Sequence, residues 1–308
     1  MEISQSGRRC QGFRSYVLSN AYLSIEVVPE LGAKIISLRN LETGREWMWS
    51  PSPEPKLFRN HPNDAFEAST LIGADECLPT IAPCRFQGRD LADHGEAWSA
   101  PWTVDETALP ARIETSVRLR TPSIELRRSI SIQENEILFD YRLTSLSSEP
   151  ESFLWAFHPL MPIEDGACIE LPDSIALVKL GAVKGIAGPA GSRWNWPEPS
   201  PGVRLDRMDC RSHANSYAKM FAEFAPGAEA FAAIRRERER LLFRFDPAEI
   251  PAVGIWFTCG GWNGHSHLAI EPTNAATDSL CDVVPTRHSV IEPFQNVAWR
   301  FRITIEAL

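Results

Sequence analysis

Alternation of apolar and polar residues restricts the fold of this chain more than any other feature. In residues 112–120, Ile113, Val117 and Leu119 take one parity, and Arg112, Glu114, Arg118 and Arg120 take the other. Residues 136–145 repeat the pattern, with Ile137, Phe139, Tyr141 and Leu143 set against Leu138, Asp140, Arg142 and Thr144. Near the C-terminus Val297, Trp299, Phe301, Ile303 and Ile305 alternate against Arg300, Arg302 and Glu306. Successive strand side chains point to opposite faces, so each segment predicts a half-buried strand. Residues 124–132 are similar, but Arg128 breaks the parity and predicts a bulge. Residues 22–29 and 33–38 predict a strand pair joined by Glu30, Leu31 and Gly32. Residues 153–160 are apolar on both faces, as an inner strand would be. Helical periodicity is nearly absent, with short turns expected in 207–214 and 275–281. Many short strands with hardly any helix predict an all-β sandwich or barrel.

The length of 308 residues allows one large domain or two ordinary ones. No repeat or linker divides the chain. The Pro- and Gly-rich stretch 185–202, which holds Trp194 and Trp196, reads as a long surface loop, so a single domain over 1–308 is expected. A net charge of -9 argues against nucleic acid as partner. No apolar run is long enough to span a membrane. The first ten residues carry Arg8 and Arg9 but no apolar segment behind them, unlike a secretory signal. Seven cysteines, scattered and without a Cys-x-x-Cys, then read as reduced thiols in a cytoplasm. The ten tryptophans have two uses, filling the core and stacking on the apolar faces of sugars.

Four stretches join ionisable groups to rigidifying neighbours. Asp75 and Glu76 lie between Gly73 and Pro79. His94 and Glu96 flank Gly95. His158 sits between Phe157 and Pro159. Glu271 ends an alternating run just before Pro272, whose fixed φ would hold the backbone beside the carboxylate.

In this order along an all-β chain, these motifs resemble the aldose 1-epimerase (galactose mutarotase) family. Residues 32–38 look like the family's opening hairpin, His94-Gly95 and Phe157-His158-Pro159 like its two histidine motifs, and Ala269-Ile270-Glu271-Pro272 like its terminal Glu-Pro motif. The resemblance covers nearly the whole chain. It implies a galactose mutarotase-like β-supersandwich with an open cleft for a monosaccharide or sugar derivative. Glu271 would be the base that takes the O1 proton, and His158 the acid that protonates the ring oxygen. His94 would support developing charge. Proton transfer is the whole reaction, so no metal or organic cofactor is implied.

The sequence departs from the family in the shell that orients the sugar. Where the family carries Tyr-Asp-His-x-Phe, this chain has Tyr217-Ala218-Lys219-Met220-Phe221. Asp75 and Glu76 stand near the place of a sugar-binding arginine, for which Arg85 is a loose counterpart. Asp75, Glu76, Arg85, Glu96, Lys219 and Trp256 are the candidate substrate contacts, and Lys219 raises the option of an anionic sugar. Two other readings remain open. One is a non-catalytic sugar-binding or regulatory protein on the same fold. The other is a cupin-like metal enzyme using His265, His267 and Glu271, which have the spacing of that fold's first metal motif.

Overall fold

The computed structural model describes residues 8–186 and 188–308, so the sequence reading of residues 1–7 lies outside the described residues. The alternating segments form strands. Helical structure among the described residues is limited to four 3₁₀ turns.

The strands assemble into two large antiparallel sheets. One runs in the order Arg8–Cys10, Phe13–Ser19, Leu23–Val28, Lys34–Asn40, Ala74–Cys77, Ala156–Pro159, His265–Thr273, Ala252–Trp262, Ser216–Glu223, Leu177–Lys184, Arg193–Asn195. The other runs Arg207–Met208, Ala167–Glu170, Phe231–Arg235, Glu239–Phe245, Asn296–Ala307, Glu136–Ser145, Ile124–Gln133, Ile113–Leu119, Thr103–Val104. One apolar cluster takes side chains from both sheets, including Ile35, Phe157, Ile255 and Ile270 from the first and Ile130, Phe139, Phe243 and Phe301 from the second. Phe139 bridges the layers, stacking on Phe301 at 4.6 Å and meeting Phe157 at 5.2 Å.

Four sequence expectations change. The Ile124–Gln133 strand pairs with both neighbours without a register shift. Arg128 marks no bulge. It points inward with Leu126 and Ile130, fully buried, because it has a partner there. The 185–202 stretch is not all loop, since Arg193–Asn195 adds the edge strand of the first sheet. The alternating run does not end at Glu271, for the strand continues through Pro272 to Thr273. On its Ala156–Pro159 side that strand is bridged at Ala156–Thr273 and Met161–Leu268 and not at Pro272, so a missing N–H there costs little. Finally, Cys210 and Cys259 form a disulfide, with Cα atoms 5.1 Å apart, which overturns the reading of all the cysteines as free thiols. A hydrogen bond from Asn215 N to Cys259 O brings the two segments together, although they are distant in sequence. No helix among the described residues is long and apolar enough to cross a membrane.

Candidate active site

Five adjacent strands of the first sheet, from Ala74–Cys77 to Ser216–Glu223, carry the site on the face turned away from the core. Parity decides which residues reach it. Ala218, Met220, Val253, Ile255, Leu268, Ile270 and Phe157 join the core cluster. Their neighbours Lys219, Gly254, Trp256, His267, Glu271 and His158 therefore stand on the opposite face. Loops close over them and leave a cavity of about 240 Å³, lined among others by Phe66, His94, His158, Lys219, Trp256 and His267.

Glu271 is fully buried against two residues that line this cavity, His158 and Lys219. Its Oε1 lies 3.5 Å from His158 Nε2 and makes no hydrogen bond, while Oε2 accepts from Lys219 Nζ. Lys219 Nζ also lies 3.5 Å from Asp278 Oδ1. Burial works against its ammonium, but Glu271 and Asp278 outweigh that and raise its pKa. Burial raises the pKa of Asp278 against the pull of Lys219. Two glycines make room for the pair. A Cβ on Gly254 would stand 3.2 Å from Glu271 Oε2 and Lys219 Nζ, and one on Gly181 would stand 3.2 Å from Lys219 Cγ. Glycine inside a strand marks such a close approach.

His94 reaches the cavity from a loop whose geometry explains the His-Gly pair. His94 has φ 58° and Gly95 φ 74°, and a Cβ on Gly95 would collide with the Leu78 carbonyl. Trp98 Nε1 donates to the carbonyls of Asp93 and Gly95 and holds the turn. The His94 ring stacks on Phe66 at 3.8 Å, its Nδ1 is 2.8 Å from Asp93 Oδ1, and it meets His158 edge-on at 5.2 Å. Burial pushes the His158 imidazole well below its ordinary pKa, reinforced by His94, Lys219 and Lys34.

No family model matches the sequence, and no curated protein matches it. Solved structures do. A galactose mutarotase related enzyme from Lactobacillus acidophilus is 16% identical, with 95% of this chain and 97% of that one covered at TM-score 0.71. A galactose mutarotase-like protein from Clostridium acetobutylicum is 13% identical, with 98% of each chain covered at TM-score 0.71. Another from Lactobacillus casei is 14% identical, with 95% of this chain and 100% of that one covered at TM-score 0.68. The chain has the galactose mutarotase-like fold.

On this mutarotase-like sheet, six of the nine sequence candidates gather at or beside the cavity. His94, His158, Lys219 and Trp256 line it, Glu271 contacts two of these, His158 and Lys219, and Asp75 stands across from His158 in the strand register. Asp75 is already ion-paired with Lys34 and 1% exposed. Three candidates fall elsewhere. Glu76, one residue on from Asp75, points between the sheets and is hydrogen-bonded to Arg128, Tyr141 and Trp155. Arg85 lies on an exposed hairpin facing Asp90. Glu96 accepts a hydrogen bond from Arg120 N and lines a separate groove. We assign none of these three to sugar contact.

The pairing of Ala218 with the family aspartate also changes, because Ala218 packs in the core and Lys219 is the residue on the cavity face. The metal motif does not converge either. His267 and Glu271 are four residues apart on one strand, so their Cα atoms are about 13 Å apart. Among the described residues no group of three or more His, Cys, Asp or Glu could hold a metal ion. Sequence reading missed Phe66, Trp262 and Asp278 as cavity residues. Only the interior glycines Gly181 and Gly254 left a trace of the Lys219 pocket in the sequence.

Proposed function

We propose that the chain is a sugar isomerase that interconverts the anomers of a monosaccharide by acid–base ring opening. The observation that carries this is the unpaired Oε1 of buried Glu271, 3.5 Å from His158 Nε2, beside a cavity with aromatic walls. A cyclic hemiacetal opens when a base takes the O1 proton as an acid protonates the ring oxygen. Glu271 Oε1 is free to accept, and His158 Nε2 is close enough to act on the same ring. Lys219 occupies only the other carboxylate oxygen, so it positions the base without blocking it. His94, held by Asp93 and Phe66, supports charge on the opening ring. The mutarotase-like fold and the names of its structural relatives agree with this reading.

The Lys219 contact also favours a second reading. A carboxylate with an ammonium bound to it suits a protein that holds sugars and does no chemistry. Polarimetry and NMR anomer exchange over a panel of aldoses and aldose phosphates separate the two. Binding with no acceleration of exchange at any pH sinks the isomerase.

His158 sets the expected pH dependence. Its pKa lies below the ordinary histidine value, so in the neutral range the protonated acid is the minor form. Its population grows as the pH falls, so kcat/KM should rise by up to about tenfold per unit between about pH 8 and 6. A flat profile across that range removes His158 from the role of acid.

A further inference from the structure

His267 is the buried polar group on the cavity wall that the acid–base reading leaves unused. It is 1% exposed, and neither ring nitrogen has a hydrogen-bond partner. Buried polar side chains are nearly always satisfied, so an imidazole with two unpaired nitrogens needs an explanation. Its surroundings are aromatic. The ring lies 4.6 Å from Trp49, 5.8 Å from Trp262 and 6.4 Å from Trp256. Trp256 and Trp262 line the cavity beside it.

We propose that His267 and these tryptophans form a subsite that reads one hydroxyl of the bound sugar. The indoles offer apolar faces to ring C–H groups. The neutral imidazole offers one acceptor and one donor, which suits a hydroxyl that does both. Burial, with His158 and His265 nearby, lowers the His267 pKa to about 3, so the ring is neutral across the working range and acts as neither cation nor acid. It also stands four residues along the strand from Glu271, about 13 Å away, so it meets a different part of the ligand from the reacting centre. This subsite rests on the sugar-binding part of the proposed function and is independent of the catalytic part.

The test uses D-galactose, D-glucose and the monodeoxy analogues of each, titrated by calorimetry and by tryptophan fluorescence. His267→Phe keeps an aromatic ring and removes both nitrogens. It is expected to bind the parent sugar about tenfold more weakly and to bind one deoxy analogue as wild type does. His267→Gln, with a donor and an acceptor, should recover part of the loss. The loss should fall on KM more than on kcat for anomer exchange, because uniform binding is lost and not transition-state binding. If the Phe variant does not fold, nitrogen NMR of labelled histidine in the wild-type chain gives the same answer, since the His267 signals should move when sugar is added. Equal losses for every analogue, unchanged affinity, or static His267 signals overturn the subsite. Sugar binding without exchange overturns the catalytic reading and leaves the subsite intact. A wild-type chain that binds none of the panel overturns both.

Discussion

Replacing Glu271 by glutamine is expected to lower kcat for anomer exchange by about 10²–10⁴-fold, the usual worth of a positioned proton-transfer group. The substitution keeps the shape of the side chain and its place beside the cavity, so sugar affinity should change far less than rate. The amide has no basic oxygen for the O1 proton. It also leaves the Lys219 ammonium without its main counter-charge, with only the Asp278 carboxylate, Oδ1 at 3.5 Å, to take over. Some stability should therefore be lost along with activity, and the assay needs a melting curve beside it. Polarimetry at saturating sugar gives the rate, and calorimetry gives the affinity. A folded Glu271→Gln chain that exchanges anomers as fast as wild type sinks the assignment of the base.

What could be read in advance follows from the period of the strand. Where one face is buried and the other wet, parity is written in the residues, and Ile113–Leu119, Glu136–Ser145 and Asn296–Ala307 were legible for that reason. The site strands are buried on both faces, so even the alternating run that leads to Glu271 could not say which parity faces the cleft. Asp75 and Glu76 look alike in the sequence, yet one faces the cleft and the other the core. Ala218 and Lys219 pose the same problem in the opposite direction. His94, His158 and Glu271 were singled out through the order of their motifs, which does not depend on knowing the faces. His267 drew attention for its spacing from Glu271, but that spacing along a strand separates the two side chains. Arg128 looked like a fault in a pattern because its partner, Glu76, is in the other sheet. Long-range pairs of this kind, like Cys210 with Cys259, leave no local mark.

That last pair of charges gives the largest expected effect on stability. Arg128 and Glu76 are both fully buried, and Arg128 Nη1 donates to Glu76 Oε1 at 2.9 Å. Tyr141 Oη donates to the same oxygen at 2.7 Å, and Trp155 Nε1 to Oε2 at 2.8 Å. The guanidinium also donates to the Ala33 carbonyl and lies 5.3 Å from the Trp102 ring. Breaking a buried pair by removing one partner typically costs about 3–5 kcal/mol, because the other charge stays buried. Arg128→Met should therefore lower Tm by an amount on the order of 10 °C. The pH dependence has a definite sign. Burial already raises the Glu76 pKa above its unfolded value, even with Arg128, Tyr141 and Trp155 pulling it down. The folded state thus holds this proton more tightly than the unfolded one, and removing Arg128 widens that gap. The deficit of Arg128→Met should be greatest at neutral pH and shrink as acidification protonates Glu76. The double variant Arg128→Met with Glu76→Gln should regain part of the loss at neutral pH, since no bare charge remains. Denaturant melts of both variants at two pH values measure this. A single variant as stable as wild type, or a double variant no better than the single, refutes the pair as a cross-sheet clamp. The same network holds the Ala74–Cys77 strand, whose other face places Asp75 opposite His158. Loosening the clamp should therefore also lower kcat, although no residue of the cavity has been touched.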